Sequence, residues 1–292
     1  MRVHAAAVNP DDWHYMRGLP YIARARTGLR SPTRTVPGGD MAGQVEAIGK
    51  DVTRFQPGDE IFASIEGGSL AEYACASEDL VAPKPVNLTF EQAAAVPLAA
   101  LTALQGLRDQ GRIQSGQKVL IIGASGGVGT FAVQLGKSFG ADVTGVCSTR
   151  KVDMVRSIGA DHVIDYTQED FTQSGQKYDL IFQLAGTRSP SDCRRALTSK
   201  GTLVMSSGES DGHWIGPMDR IIKAVVLSPF VSQRLGAFEA KQSKQDLQIL
   251  KGLIESGKVW PVIDRTYPLS ETAEALRYLE EGHARGKVVI TV

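Results

Sequence analysis

The sequence predicts an α/β chain in which a doubly wound parallel sheet follows a compact antiparallel β-rich domain. Three observations carry this reading. Short β-rich pieces punctuated by glycine and proline run to about residue 96, strands alternate with helices beyond Gln117, and a glycine turn, GASGGVG, joins the first of those strands to its helix. Composition agrees: at 292 residues, 42% hydrophobic and 22% charged, the chain can bury the core of two domains or one large one.

In the first segment GQVEAIG, DEIFAS and LAEYACA alternate with Pro37, Gly38, Gly39, Gly49, Pro57, Gly58, Gly67 and Gly68, so turn formers bound short strands. At Asn87 the texture changes. Thr89 and Gln92 have capping-box spacing, and an alanine-rich helical stretch interrupted by Pro97 runs to Leu107. KVLII is a buried-strand run, Phe131, Val133, Leu135 and Phe139 recur at broadly helical spacing, and DVTGVC is a second strand. A helix over 152–158, the strand HVID, a strand over 179–183, a helix with Ser189 as N-cap and Pro190 at N1, and the strand GTLVM complete the series. Such alternation implies parallel strands with right-handed crossovers. From about Lys241 a helix over 245–254, a strand near Val262, a helix capped by Ser270 and the strand KVVITV follow. The boundaries expected are 1–96, 97–240 and 241–292.

Charge and cysteine usage exclude several functions. Lys plus Arg and Asp plus Glu both number 32, leaving no global field to hold nucleic acid or an anionic membrane. Cys75, Cys147 and Cys193 are far apart with no C-x-x-C pair, which fits neither a disulfide framework nor a cysteine zinc site. The opening MRVHAAAVNPDD lacks an apolar signal region, and no uncharged run reaches the ~18 residues that span a bilayer. The expected place is the cytoplasm, with no membrane span.

In GASGGVG, Ala124, Gly126 and Gly129 stand in the spacing of a Rossmann dinucleotide fingerprint whose first glycine is alanine. Gly126 lets the backbone reach a pyrophosphate, Gly129 lets helix pack on strand, and the helix start offers free N–H groups. Cofactor contacts are therefore expected from Ala124, Ser125, Gly126, Gly127, Val128 and Gly129. The same letters spell G-x-S-x-G over 123–127, with Ser125 as a hydrolase nucleophile and Asp179, Asp211, His213 and His283 as downstream partners. Gly129 has no role in such an elbow, and no HGGG-type segment precedes it. A P-loop ending in Gly136, Lys137 and Ser138 would need glycine where Phe131 stands.

At the end of the second strand an NAD-binding protein carries Asp or Glu for the ribose hydroxyls; this chain has Ser148, Thr149, Arg150 and Lys151. A carboxylate repels a 2'-phosphate, whereas hydroxyls and cations pair with it, so NADPH is expected over NADH. The alternative is that Arg150 and Lys151 are ordinary solvated residues opening a helix.

These residues resemble the zinc-free quinone oxidoreductases of the medium-chain dehydrogenase/reductase superfamily, the ζ-crystallin-like group. The resemblance runs through AAAVNPDD (5–12), PGGDMAGQVEAIG (37–49), RFQPGDEIF (54–62), SLAEYA (69–74), AAAVPLAALTAL (93–104), GASGGVG and GKVVI (286–290). It implies a GroES-like catalytic domain formed by the first segment and the C-terminal return, a Rossmann NADP-binding domain between them, a cofactor cleft at their junction, and a homodimer. In the zinc alcohol dehydrogenases of the superfamily the catalytic ligands are a Cys, a His with a neighbouring Glu, and a second Cys; the corresponding places here are Asn9, Gly39 with Asp40, and Leu98. By carry-over Ser148, Lys151 and Tyr166 contact the 2'-phosphate, Thr102 lies near the nicotinamide and Asn9 faces the substrate. Members of the group have further β-strand sequence ahead of the segment that is 1–8 here, which predicts a bared edge on the first domain.

Without zinc ligands nothing brings an alcohol toward its alkoxide, so the expected substrate is already activated: a quinone or an α,β-unsaturated carbonyl. Asn9 is the expected hydrogen-bonding residue, with His14 and Tyr15 as further candidates. Trp13 and Tyr15 serve equally as core or cleft wall, and Asp40 reads as a local hydrogen-bond acceptor. Over 213–244, Trp214, Ile221, Ile222, Phe230 and Phe238 alternate with Arg220, Lys223, Arg234 and Lys241, a pattern open to a lid, a dimer contact, a membrane-surface helix or a connecting helix. The rival functions are a catalytically silent NADPH-binding protein and a serine hydrolase.

Overall fold

A computed structural model describes residues 1–292 except 29, 32, 34, 207–221, 225, 226, 229 and 230; for 23, 26 and 27 the backbone alone is described. The chain forms two compact units, Met1–Leu101 with Lys241–Val292, and Thr102–Ala240. In chain order the first stretch holds β1 (Arg2–Val8), α1 (Pro10–Arg17), α2 (Arg24–Thr27), β2 (Asp40–Gln44), β3 (Glu60–Ser64), β4 (Val81–Pro83), α3 (Phe90–Ala94) and α4 (Pro97–Gln105). Next come β5 (Lys118–Ile122), α5 (Gly127–Ser138), β6 (Asp142–Cys147), α6 (Val152–Ser157), β7 (His162–Asp165), β8 (Tyr178–Gln183), α7 (Pro190–Ala196), β9 (Leu197–Met205) and β10 (Arg234–Ala237). The return adds α8 (Lys244–Glu255), β11 (Ile263–Pro268), α9 (Thr272–Glu280) and β12 (Lys287–Thr291).

The first unit is built on one sheet of order β11-β12-β1-β2-β3-β4. β1 is buried on both faces. Val3, Ala6 and Val8 join a core with Met41, Ile61, Val288 and Ile290, while Ala5 and Ala7, both without exposed surface, face the other way, where α3 packs on β1 and β2. Small residues on that face let the helix approach. β1 is paired antiparallel with β12 on one side and β2 on the other; the sheet's outer strands are β11 and β4.

The expected strands need trimming. Of GQVEAIG only Gly43 and Gln44 belong to β2: pairing with β3 ends at Glu60, the Val45 and Gly58 N–H groups close the ladder onto Asp59 and Val45 carbonyls, and residues 46–50 are exposed. LAEYACA makes only a bridge from Arg2 to Tyr73, since Val3 and Ala74 exchange backbone bonds with Glu72 and Met1 before the chain turns away. Ser270 sits in a 3-10 turn, Leu269–Glu271, and α9 starts from Glu271 instead. Thr89 caps α3 and Ser189 caps α7, each with the reciprocal bond of a capping box.

The second unit is a parallel sheet of order β10-β9-β8-β5-β6-β7, in which strand order reverses between β5 and β8. Leu120, Ile122, Val146, Ile181 and Leu203 pack one core, and α5 buries Phe131, Val133 and Leu135. Each such side chain stabilises the fold by about 1.5–3 kcal/mol when fully buried. In open sheets of this type ligands bind beyond the carboxyl ends of the strands, where the order reverses. Of the 213–244 segment, Trp214, Arg220, Ile221 and Phe230 lie outside the described residues; Phe238 packs its ring 6.2 Å from that of Phe182. No helix among the described residues is long and apolar enough to cross a membrane.

Candidate functional site

β5 ends at the reversal point, and residues 123–129 turn the chain from it into α5. Gly123 has φ +88°, a left-handed conformation that favours glycine, and a Cβ there would stand 2.8 Å from the Cβ of Ala185. The N–H groups of Gly123 and Ala124 both donate to the Val146 carbonyl at 3.1 Å, which ties the turn to β6. Ala124, in place of the usual first glycine, is fully buried over Gly145 of β6; a Cβ on Gly145 would lie 2.9 Å from the Ala124 methyl. The glycine has in effect moved to the neighbouring strand.

Gly126 is the N-cap of α5 and supplies no capping side chain, and the first turn holds no acidic residue. The first-turn N–H groups of α5 thus have no capping side chain from Gly126, and they lie at the positive end of the helix dipole. A Cβ on Gly126 would meet nothing nearer than 3.6 Å, whereas one on Gly129 would be 2.1 Å from the Gly123 carbonyl oxygen. Open space at one glycine and tight packing at the other fit a loop that cradles a pyrophosphate.

The predicted 2'-phosphate residues gather at the carboxyl ends of β6 and β7. Ser148 precedes a 3-10 turn holding Thr149, Arg150 and Lys151, and the Tyr166 N–H donates to the Cys147 carbonyl at 3.1 Å. Arg150 is exposed and Lys151 half-buried. Asp165, which the sequence reading passed over although it ends HVID, accepts from the Thr149 hydroxyl at 2.5 Å, and that bond is the main cause of its carboxyl lying below the usual range. The Thr149 hydroxyl is therefore engaged; Ser148, Arg150, Lys151 and the exposed Tyr166 stand at the same strand ends. Burial pushes the Cys147 thiol up to about 11, so it is un-ionised at neutral pH. Thr102 is buried in α4.

Ser125 is buried in the same loop. Its expected partner Asp179 accepts the Lys118 N–H at 3.0 Å, at the start of β5. Ser125 lies past the end of that strand, so Asp179 is at the opposite end of the sheet, about 15–20 Å away at ~3.3 Å per residue. Asp211 and His213 fall outside the described residues.

In the first unit Asn9 joins β1 to α1 and is 5% exposed. Its carboxamide Nδ2 donates to Asp40 Oδ2 at 3.0 Å, its Oδ1 accepts from Lys287 Nζ, and Lys287 Nζ stands 3.2 Å from the same Asp40 oxygen. Asp40 Oδ1 accepts the Leu98 N–H at 2.9 Å. Asp40 is 0% and Lys287 3% exposed, so this is a desolvated ion pair closed over an amide. Asp40 is an acceptor as expected, yet its partners are distant in sequence. Lys287 was not foreseen; the signal was a lysine opening the otherwise apolar KVVITV. His14 and Tyr15 lie further along α1 and are half-buried. His14 stacks on Trp13, its Nδ1 is buried without a partner, and burial lowers its pKa, so the imidazole is neutral at pH 7. The Tyr15 hydroxyl bonds that of Thr33.

Asp12 fixes the backbone beneath Asn9, accepting the Asn9 N–H at 2.8 Å and the Gly38 N–H at 3.0 Å. Burial first, then the charge of Asp40, push its carboxyl up to about 6 against the outward pull of the backbone N–H groups. A carboxyl whose folded pKa exceeds its unfolded value near ~3.9 binds more protons in the folded state, so stability falls as pH rises between those values, by about 3 kcal/mol in all. Urea unfolding between pH 4 and pH 7 is expected to show that fall in the wild type and not in Asp12→Asn. Parallel pH dependences in the two proteins would contradict it.

Two family models match the chain: the alcohol dehydrogenase GroES-like domain over residues 1–86 and the zinc-binding dehydrogenase over residues 158–290. The chain is 37% identical to the 2-methylene-furan-3-one reductase of Solanum lycopersicum, over 99% of this chain and 70% of that protein. It is also 37% identical to the chloroplastic NADPH-dependent alkenal/one oxidoreductase of Arabidopsis thaliana, over 99% and 71%. The structure of the quinone oxidoreductase from Coxiella burnetii superposes with a TM-score of 0.86 at 30% identity, covering 100% of this chain and 89% of that one. With these matches and a glycine loop at the reversal of a parallel sheet, the chain belongs to the zinc-free quinone oxidoreductase group of the medium-chain dehydrogenase/reductase superfamily.

Proposed function

We propose that the protein transfers a hydride from NADPH to quinones or α,β-unsaturated carbonyls. The observation that carries the reading is the 123–129 loop, an uncapped helix start beside an open glycine at the reversal of the sheet. The activities for which the relatives are named, an alkenal/one oxidoreductase and a 2-methylene-furan-3-one reductase, support the acceptor class. Residues 124–129 hold the pyrophosphate, Ser148, Arg150, Lys151 and Tyr166 the 2'-phosphate, and Thr102 the nicotinamide end; when bound, NADPH supplies the hydride. The conjugated acceptor spreads the incoming charge itself, so the chain's own work is orientation and a hydrogen bond to the carbonyl oxygen, which we assign to Asn9. His14 and Tyr15 are secondary candidates on the same side of the assignment. A homodimer and the cytoplasm as compartment belong to this proposal too.

The second reading, an NADPH-binding protein without turnover, draws on one feature: the Asn9 carboxamide already bonds Asp40 and Lys287. Titrating NADPH fluorescence and then adding a panel of quinones and enones separates the two. Oxidation of NADPH at 340 nm by at least one acceptor is expected; binding with none oxidised would leave the silent reading. Lys151→Asp is expected to weaken NADPH at least tenfold more than NADH, since a charge-assisted bond contributes about 1.5–3 kcal/mol. Equal losses would mean that the 2'-phosphate lies elsewhere.

A further inference from the structure

We infer that Lys287 is a positioning residue for the reductase: with Asp40 it holds the Asn9 carboxamide in the one orientation that keeps an Nδ2–H for the acceptor's carbonyl oxygen. This rests on the proposed reductase activity for its consequence, though not for its geometry.

The three side chains close a ring. Lys287 donates to Asn9 Oδ1, Asn9 Nδ2 donates to Asp40 Oδ2, and the ammonium and carboxylate face each other at 3.2 Å. Rotating the amide by half a turn would set its NH2 against the ammonium and its carbonyl against the carboxylate, two repulsive contacts in a site where every member is nearly free of solvent. Of the two Nδ2 protons one serves Asp40; the other has only the Ala7 carbonyl at 3.5 Å, at the limit of a hydrogen bond. That weakly bonded proton is the one an acceptor's carbonyl oxygen can take over. The Asn9 N–H is bonded locally, by the Asp12 carboxylate of α1. The side chain is instead held by groups 31 and 278 residues away, on two other strands, with an ion pair buried to do it.

The test is a cycle of Asn9→Ala, Lys287→Met and the double variant, followed by kcat, KM and NADPH affinity, with Lys287→Gln as a variant that keeps an N–H donor in place of the ammonium. Asn9→Ala and Lys287→Met are each expected to lower kcat about 10- to 100-fold with NADPH affinity within twofold of wild type. The double variant is expected to be no slower than Asn9→Ala, and Lys287→Gln to recover part of the loss. Multiplying losses in the double variant, or an unchanged kcat in Lys287→Met, would overturn the inference; if Lys287→Met does not fold, Lys287→Gln with Asn9→Ala decides by the same criterion. An independent readout is the Asn9 side-chain amide in a nitrogen-proton NMR spectrum. Two separate, slowly exchanging protons are expected in the wild type, with that protection lost in Lys287→Met and partly kept in Lys287→Gln. Protected protons in a protein that oxidises no NADPH would sink the reductase reading and leave the positioning intact, whereas protection unchanged in the variants would sink the positioning alone.

Discussion

Gly129→Ala is expected to lower the melting temperature of the protein by about 5–10 °C and to weaken NADPH at least a hundredfold. The added methyl would sit 2.1 Å from the Gly123 carbonyl oxygen and 2.7 Å from the Ala124 carbonyl carbon, both backbone atoms of the turn that starts the helix. Backbone cannot step aside as a flexible side chain does, so the cost falls at the upper end of overpacking, about 3 kcal/mol. Gly126→Ala is the companion. Its φ is −84° and its nearest neighbour would be 3.6 Å away, so the fold is expected to keep its melting temperature within about 2 °C while NADPH affinity still drops at least tenfold. Thermal melts with and without NADPH check both. An unperturbed melt for Gly129→Ala would mean that α5 does not pack on β5 as described.

The second large effect concerns the ion pair. Asp40→Asn leaves the Lys287 ammonium buried without its counter-charge, and Lys287→Met leaves the Asp40 carboxylate in the same position; each is expected to cost about 3–5 kcal/mol by urea unfolding. The double variant is expected to lose at least about 2 kcal/mol less than the two single losses together, because the second substitution removes the charge that the first stranded. Strict additivity would show that the two charges do not meet in solution. Surface pairs such as Arg17 with Glu280 are solvated on both sides, and the median contribution of such pairs is only about 0–1 kcal/mol.

The second unit was legible almost element by element, because strands of a parallel sheet buried on both faces write themselves as apolar runs such as KVLII, and Ser189 with Pro190 announces a helix by local chemistry alone. The glycine turn was legible for the same reason. In the first unit, pairing rather than composition decides: LAEYACA has the apolar alternation of a strand and finds no continuous partner, while the short β4 was passed over. The site divides along the same line. Ser148, Arg150 and Lys151 follow a strand at fixed spacing, so their place could be read; Asp40 and Lys287 are brought together by a register between β1, β2 and β12 that no local window contains. Asp165 was missed because its partner, Thr149, is reached only through the pairing of β6 with β7.

The pairing of β1 with β12 joins residues 5–8 to residues 288–291. On a ribosome adding ~5–20 residues per second, roughly 15–60 s separates the synthesis of these two strands. The nucleotide-binding half is contiguous and can mature during that interval, while the nascent first half has β1 open along one side and Asp40 still awaiting its lysine. Completion of the first unit's sheet thus waits on β12, and truncation upstream of Lys287 is expected to leave the nascent first half as a client of chaperones.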